Sequence, residues 1–246
     1  MVNVCIPMAG RGKRFADAGY ADPKPFIKVG DQRMIEMVIQ NINGQHASNL
    51  NYIFILLKSF VDEYGDKFEK FVSSYCYKHT ILYIDEVTQG AACTALVAKD
   101  LINSDEELVI TDCDHVCLDK DHINNGIKYF RKYKAEGGFW NFLSDDPKYS
   151  YVRINNGYVK EVAEKQVISN IANTGSYYFA KGSDFVKYAE EMIKANDRTR
   201  GEYYVAPVYR YMFIDNKKVL PYVCNAFFSL GVPSDLTMYK EINGIA

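Results

Sequence analysis

Short, wholly apolar runs alternate with amphipathic stretches over the first half of the chain. Val2, Val4 and Ile6 open it as a buried strand. Residues 25–29 form a short extended piece turning at Gly30-Asp31, and Met34, Ile35, Val38, Ile39 and Ile42 then recur at helical spacing. Residues 52–57 predict a fully buried strand, 61–75 an amphipathic helix with Phe68, Phe71 and Val72 inward, and 80–84 a third strand. Gln89-Gly90-Ala91-Ala92 opens a helix reaching about residue 102, and Leu108-Val109-Ile110-Thr111 is a fourth strand. Strands this apolar cannot face water. The pattern therefore predicts an α/β fold with a Rossmann-like, mostly parallel central sheet covered on both faces.

From Gly137 the texture becomes β-rich. Residues 139–143, 151–154, 158–162 and 176–180 read as strands, with Asn156-Gly157 a hairpin turn. A helix over 184–195, the segment 202–212, a strand near 219–223 and a last helix capped by Ser234 or Asp235 complete the chain. This half is expected to extend the sheet, making it mixed, and to wall the other side of a cleft. No repeat, low-complexity segment or linker interrupts the sequence, so residues 1–246 are read as a single domain.

Composition narrows the function classes. With 246 residues, 48% hydrophobic, 24% charged and a net charge of −2, nothing favours nucleic acid or a membrane surface by bulk charge. An anion site must be local. The six cysteines have no framework spacing, no apolar run approaches a membrane span, and Pro7 to Arg14 interrupt any secretory apolar region. The expectation is a cytoplasmic protein with reduced thiols.

The chemistry gathers at two strand ends. Gly10-Arg11-Gly12-Lys13-Arg14 follows the first strand, and Lys24 sits between Pro23 and Pro25. Glycines allow close backbone approach to an anion, bare N–H groups point at it, and cations neutralise it. A dinucleotide fingerprint fails because Phe15 occupies the third glycine position; a P-loop fails because Arg14 follows Lys13. The plain alternative is a glycine turn with solvated cations. Asp112 and Asp114 straddle Cys113 after the fourth strand, where alternation points both carboxylates one way. Such hard oxygens suit Mg²⁺; otherwise they are turn or cap aspartates. Both loops lie at the carboxyl ends of strands, where open parallel sheets bind ligands. Cys113, His115 and Cys117 lack zinc-site spacing. His46, His79 and His122 lie in polar contexts and read as solvated, and Cys93 reads as packing.

Ala9-Gly10-Arg11-Gly12-Lys13-Arg14 followed by Pro23-Lys24-Pro25 resembles the G-x-G-x-R…P-K-P signature of nucleotidyltransferases that activate sugar phosphates and alditol or amino-alcohol phosphates. Further segments match in the family's order along nearly the whole chain. Gln89-Gly90-Ala91 resembles its base-binding segment, Asp114 its metal aspartate, and Glu164-Lys165 its E-K pair. Asn173-Thr174-Gly175 resembles the acceptor-side N-x-G, and Leu230-Gly231-Val232-Pro233 the terminal element. Within the family the opening is similar to bacterial capsule-cluster cytidylyltransferases, which couple CTP to L-glutamine phosphate on the route to capsular phosphoramidate. The usual second metal aspartate is replaced by Ser229-Leu230, leaving Asp112, a water or Asp235 for that role, and Val232 stands where Thr is usual.

The resemblance implies a GT-A-like, nucleotide-diphospho-sugar transferase fold, with residues 1–115 as the nucleotide-binding half and 116–246 as the acceptor-binding half. An acceptor phosphate would attack the α-phosphorus of CTP and release pyrophosphate. Arg14 and Lys24 are the implied catalytic residues. Met8, Ala9, Gly10, Arg11, Gly12, Lys13, Gln89, Gly90 and Ala91 would bind nucleotide. Asp112 and Asp114 would hold Mg²⁺, with Mn²⁺ as a substitute. Glu164, Lys165, Asn173, Gly175 and the Tyr177-Tyr178 pair, Tyr178 being the one assigned, would meet the acceptor, with Glu202 a further candidate. Gln89 has a donor and an acceptor, so the residue alone leaves cytosine, uracil and thymine open. A sugar-1-phosphate or alditol-phosphate nucleotidyltransferase, a glycosyltransferase using Asp112-x-Asp114, and a non-catalytic nucleotide-binding module are the alternatives. No nucleic acid or membrane partner is expected. The tyrosine-rich second half, from a total of 20 tyrosines, offers surface for a homodimer.

Overall fold

A computed structural model describes residues 1–44 and 49–245; the expectation for His46 lies outside the described residues. β1 (Val2–Pro7) is buried on both faces, with Val4 and Ile6 in one hydrophobic core and Cys5 in another. A glycine loop leads to the single-turn α1 (Lys13–Asp17), then a 3₁₀ turn at Lys24–Phe26 and a hairpin of β2 (Lys28–Val29) and β3 (Gln32–Arg33). α2 (Met34–Asn43) buries Met34, Ile35, Val38, Ile39 and Ile42, and the Arg33 N–H donates to the Glu36 carboxylate at 2.8 Å at its start. β4 (Leu50–Leu57) pairs parallel to β1. The helix expected over 61–75 begins as a π-helical turn (Val61–Gly65) before α3 (Asp66–Tyr75).

β5 (Lys78–Ile84) runs parallel to β4. The helix expected to reach residue 102 is broken into α4 (Ala91–Leu96) and α5 (Lys99–Ile102). The break is a local tightening: Val97 and Ala98 donate three residues back, to Thr94 and Ala95. β6 (Glu107–Thr111) lies parallel on the other side of β1. Thus β5-β4-β1-β6 form the parallel half of a mixed sheet of nine strands among the described residues.

β7 (His115–Cys117) leaves the sheet, and α6 (His122–Lys132) follows, a helix the sequence pattern did not predict. Its inward face holds Ile123, Ile127 and Phe130 but also His122, Asn124 and Gly126. His122 is therefore buried, not solvated, with its Nδ1 on the Asp119 carbonyl at 2.9 Å. β8 (Gly137–Leu143) precedes the hairpin of β9 (Ser150–Asn155) and β10 (Tyr158–Glu164). Asn156 (φ 50°) and Gly157 (φ 78°) supply its left-handed turn. β11 (Ile171–Phe179) runs antiparallel to both β6 and β8, joining the second half to the first. Its register against β8 shifts between Asn173 and Tyr177, a bulge at the rim of the cleft.

α7 (Gly182–Lys194) and α8 (Val208–Ile214) precede β12 (Val219–Val223), parallel to β8, and β13 (Phe227–Ser229), antiparallel to β7. α9 (Pro233–Asn243) is not capped by Ser234 or Asp235. Proline opens it after Val232, and Asp235 is turned to Lys148 at 2.9 Å. α2, α3 and α6 cover one sheet face; α4, α5, α7 and α8 cover the other. A smaller cluster of Phe15, Ile27, Val29, Met34, Val116, Leu230 and Leu236 ties α1, the β2–β3 hairpin, β7 and α9 together beside the first loop. All six cysteines are free thiols, five of them buried. No helix among the described residues is long and apolar enough to cross a membrane.

Candidate active site

A cavity of about 670 Å³ opens beyond the carboxyl ends of β1 and β6. Met8, Ala9, Gly10, Arg11, Gly12, Lys13, Arg14 and Lys24 line one side, and Gln89, Gly90 and Ala91 join them. Gly12 holds φ 60°, and a Cβ there would stand 3.0 Å from the Lys24 Cβ. Only a glycine lets the loop close onto the Pro23-Lys24-Pro25 turn. A Cβ on Gly10, by contrast, would meet nothing within 4 Å. Its surface is open to the cavity. Phe15, in place of a third glycine, is buried and anchors α1. Arg11, Lys13 and Arg14 are exposed, whereas Lys24 is drawn inward.

Asp112 and Asp114 line the same cavity. Lys24 Nζ donates to Asp114 Oδ2 at 2.7 Å. Burial pushes the Asp114 carboxyl up, but the Lys24 ammonium outweighs it and holds the group below its usual range. Asp112 is driven upward by burial first and then by the Asp114 charge. Glycines give both carboxylates room: a Cβ on Gly175 (φ 94°) would stand 2.4 Å from Asp112 Oδ2, and one on Gly231 2.7 Å from Asp114 Oδ2. The Asp112 N–H donates to the Gly175 carbonyl at 3.0 Å, fixing the carboxylate loop to the bulge in β11. His115, also lining the cavity, is buried and held neutral by that burial, its pKa lowered to about 4.

The opposite wall comes from the second half. Glu164 and Lys165 pair at 3.2 Å, and Lys165 Nζ also donates to the Lys148 carbonyl at 2.6 Å. Burial raises the Glu164 carboxyl despite that partner. Asn173 Nδ2 donates to Ser150 Oγ at 2.8 Å, and its Oδ1 accepts from Asn141 at 2.7 Å. Asn173, Thr174, Gly175 and Tyr177 of β11 all line the cavity, the bulge between Asn173 and Tyr177 breaking the strict alternation. Tyr178 does not. It points through the other face, stacked on Phe130 with centroids 4.9 Å apart, its hydroxyl donating to Glu107 at 2.6 Å. Tyr177 occupies the place expected of it. Glu202 lines the cavity. Lys148, Tyr149, Arg198, Tyr204 and Ser229 line it too, although no local motif marks them.

A model of the nucleotidyl transferase family matches residues 5–225. The chain belongs to the nucleotidyl transferase family. A curated relative, the bifunctional protein GlmU of Fervidobacterium nodosum, is 26% identical over 210 residues, which is 83% of this chain and 42% of that protein. The chain thus spans less than half the length of the curated relative it matches. The crystal structure of a nucleoside-diphosphate-sugar pyrophosphorylase from Vibrio cholerae RC9 superposes with a TM-score of 0.82 at 20% identity, covering 97% of this chain and 99% of that one. The inositol-1-phosphate CTP transferase from T. maritima superposes with a TM-score of 0.75 at 14% identity, covering 99% and 95%. At these identities the likeness is one of fold, and it is the Rossmann-like α/β fold read from the apolar runs.

The residues of this nucleotidyl transferase family member fit a hard divalent ion. Two carboxylates share a cavity; Asp114 has the Lys24 ammonium within hydrogen-bond distance, whereas for Asp112 burial and the Asp114 charge outweigh the more distant Lys24 and Lys165 ammoniums. Among the described residues no group of three or more His, Cys, Asp or Glu side chains could enclose a metal. Two neighbouring carboxylates on one cavity wall suit an ion such as Mg²⁺, which binds through one or two carboxylates and completes its shell with substrate phosphates and water. Asp235, the other candidate ligand, also lines the cavity: Lys148 holds its Oδ1 at 2.9 Å, as Lys24 holds Asp114, and its Oδ2 is buried with no hydrogen-bond partner among the described residues.

Proposed function

We propose that the chain is a cytidylyltransferase: a phosphorylated acceptor, L-glutamine phosphate, attacks the α-phosphorus of CTP, giving a CDP-linked product and pyrophosphate for bacterial capsular phosphoramidate synthesis. One observation carries the nucleotidyl-transfer part. The cationic loop after β1, the Lys24 turn and the Asp112/Asp114 pair converge on one cavity at the carboxyl edge of the sheet. The choice of CTP and of L-glutamine phosphate is supported by the resemblance of the opening motif.

In this reading the backbone N–H groups of Ala9 to Gly12, with Arg14, hold the departing β- and γ-phosphates, and Arg11 and Lys13 add positive charge. Lys24 neutralises the α-phosphate. Asp112 and Asp114 hold Mg²⁺, which supplies charge stabilisation at the phosphoryl oxygens when bound. Lys165 receives the acceptor phosphate, and Glu164, Asn173 and Tyr177 shape the space around it. A phosphomonoester has its second pKa at about 6, so the attacking oxygen is ionised at neutral pH and needs no general base. Positioning and neutralisation then account for the chemistry. Residues 1–115 thus serve the nucleotide and 116–246 the acceptor.

A sugar phosphate is the second reading for the acceptor, favoured by the sugar-nucleotide pyrophosphorylase that shares the fold. A pyrophosphate-release screen separates the two: CTP, UTP, dTTP, ATP and GTP with Mg²⁺, each against L-glutamine phosphate, sugar 1-phosphates and alditol phosphates. Turnover restricted to CTP with L-glutamine phosphate supports the first reading. Turnover with a sugar 1-phosphate replaces it by the second.

A further inference from the structure

Arg198, in the segment between α7 and α8, holds a side chain 109 positions away in sequence. Its Nη2 donates to Gln89 Oε1, its Nε to Asn196 Oδ1 at 2.8 Å and its Nη1 to the Gly201 carbonyl at 3.1 Å. The guanidinium lies 4.1 Å from the centroid of the Tyr203 ring. The two backbones are joined as well. Tyr203 N–H donates to the Gln89 carbonyl at 2.9 Å, and Ala92 N–H to the Tyr203 carbonyl at 3.0 Å. Gly90 holds φ 138°, and a Cβ there would stand 2.4 Å from the Tyr203 oxygen. The approach of these two segments is therefore built into the chain.

A guanidinium has donors only, so the Gln89 amide must turn its oxygen toward Arg198 and its NH₂ away. Gln89 and Arg198 both line the cavity. An unrestrained glutamine flips to suit whatever base it meets; this one has its amide orientation fixed, because a flip would set its NH₂ against the guanidinium donors. What it offers a ligand is a donor. We propose that Arg198 is a positioning residue that fixes Gln89 as a hydrogen-bond donor, so that the nucleotide site selects a pyrimidine whose pairing edge offers adjacent acceptors. Cytosine accepts at O2 and N3; uracil and thymine also accept at O2 and O4, so the discrimination falls at N3, where they carry an N–H that an amide fixed NH₂-first opposes. The choice of base rests on the cytidylyltransferase reading above; the clamp rests on the contacts alone.

The test is steady-state pyrophosphate release with CTP and UTP by the wild type, Arg198→Ala, Arg198→Lys and Gln89→Glu, with thermal melting as the fold control. Arg198→Ala is expected to lower the CTP-over-UTP ratio of kcat/KM about tenfold, mainly through KM for CTP, as expected for one oriented amide hydrogen bond. Arg198→Lys keeps a donor for Oε1 and retains most of the preference. Gln89→Glu places an acceptor where the NH₂ stood and moves the ratio toward UTP. A ratio unchanged in folded Arg198→Ala overturns the clamp. If that variant does not fold, an unchanged ratio in Gln89→Glu overturns it instead. A wild type that prefers UTP ends the cytidylyl reading, while the shift in the Arg198 variants still decides the clamp.

Discussion

Lys24 Nζ stands 2.7 Å from Asp114 Oδ2, joining two loops 90 residues apart in sequence. The pair links the turn that follows the glycine loop to the carboxylates that follow β6, and both ends are less than a third exposed. Lys24→Ala leaves two carboxylates sharing one cavity without the ammonium that pairs Asp114. The expected cost is about 1–3 kcal/mol of stability, measured by denaturant unfolding without Mg²⁺. Pyrophosphate release should fall by several orders of magnitude in kcat/KM while the circular dichroism spectrum stays native.

The two loop glycines should separate. Gly12→Ala forces a side chain into a left-handed conformation 3.0 Å from the Lys24 Cβ. It should cost about 1–2 kcal/mol and displace Lys24, lowering both stability and turnover. Gly10→Ala meets no protein atom. Its melting temperature should match the wild type, and only KM for the nucleotide should rise. Equal effects of the two substitutions on stability would contradict this division.

Tyr178 should prove structural and Tyr177 functional. Tyr178→Phe removes the hydroxyl donated to Glu107 and should cost about 1 kcal/mol, leaving KM for the acceptor unchanged. Tyr177→Phe alters the cavity wall and should change acceptor KM instead.

Glu107 gives a pH dependence with a definite sign. Burial raises its carboxyl, but hydrogen bonds from Arg131 and Tyr178 outweigh that and hold it below its ordinary value of 4.5. A lowered native pKa contributes stability that is present above the unfolded value and lost as pH falls through the native one. Glu107→Gln should therefore be less stable than wild type at pH 7, with the difference shrinking as the pH drops below 4.5. A difference that grows with acid would show the sign to be wrong.

β1, β4 and β6 were legible because they are apolar on both faces, whereas β5, at the sheet edge, is only half-buried; the loop after β1 was legible because glycine and proline announce themselves locally. Asp112 and Asp114 were legible from alternation past a buried strand. α6 was not, because its inward face mixes Ile123, Ile127 and Phe130 with His122, Asn124 and Gly126; Gly126 is there to let Trp140 approach, since a Cβ would lie 2.2 Å from the indole nitrogen. The face of Tyr178 was not legible, because the bulge between Asn173 and Tyr177 breaks the alternation and brings Thr174 to the cavity beside Asn173 and Gly175. Arg198 carries no local signal at all: only the tertiary docking of Tyr203 on the Gln89 loop brings it to the site.

The most direct test combines the carboxylate pair with the cationic loop. Pyrophosphate release from CTP and a phosphorylated acceptor should be measured with Mg²⁺ for the wild type, Arg14→Ala, Lys24→Ala and Asp114→Asn. The wild type should turn over only when nucleotide and acceptor are both present, and each variant should lose several orders of magnitude in kcat/KM while remaining folded. Near-wild-type turnover in Arg14→Ala and Lys24→Ala, or tight CTP binding by the wild type with no pyrophosphate released from any acceptor, would contradict it.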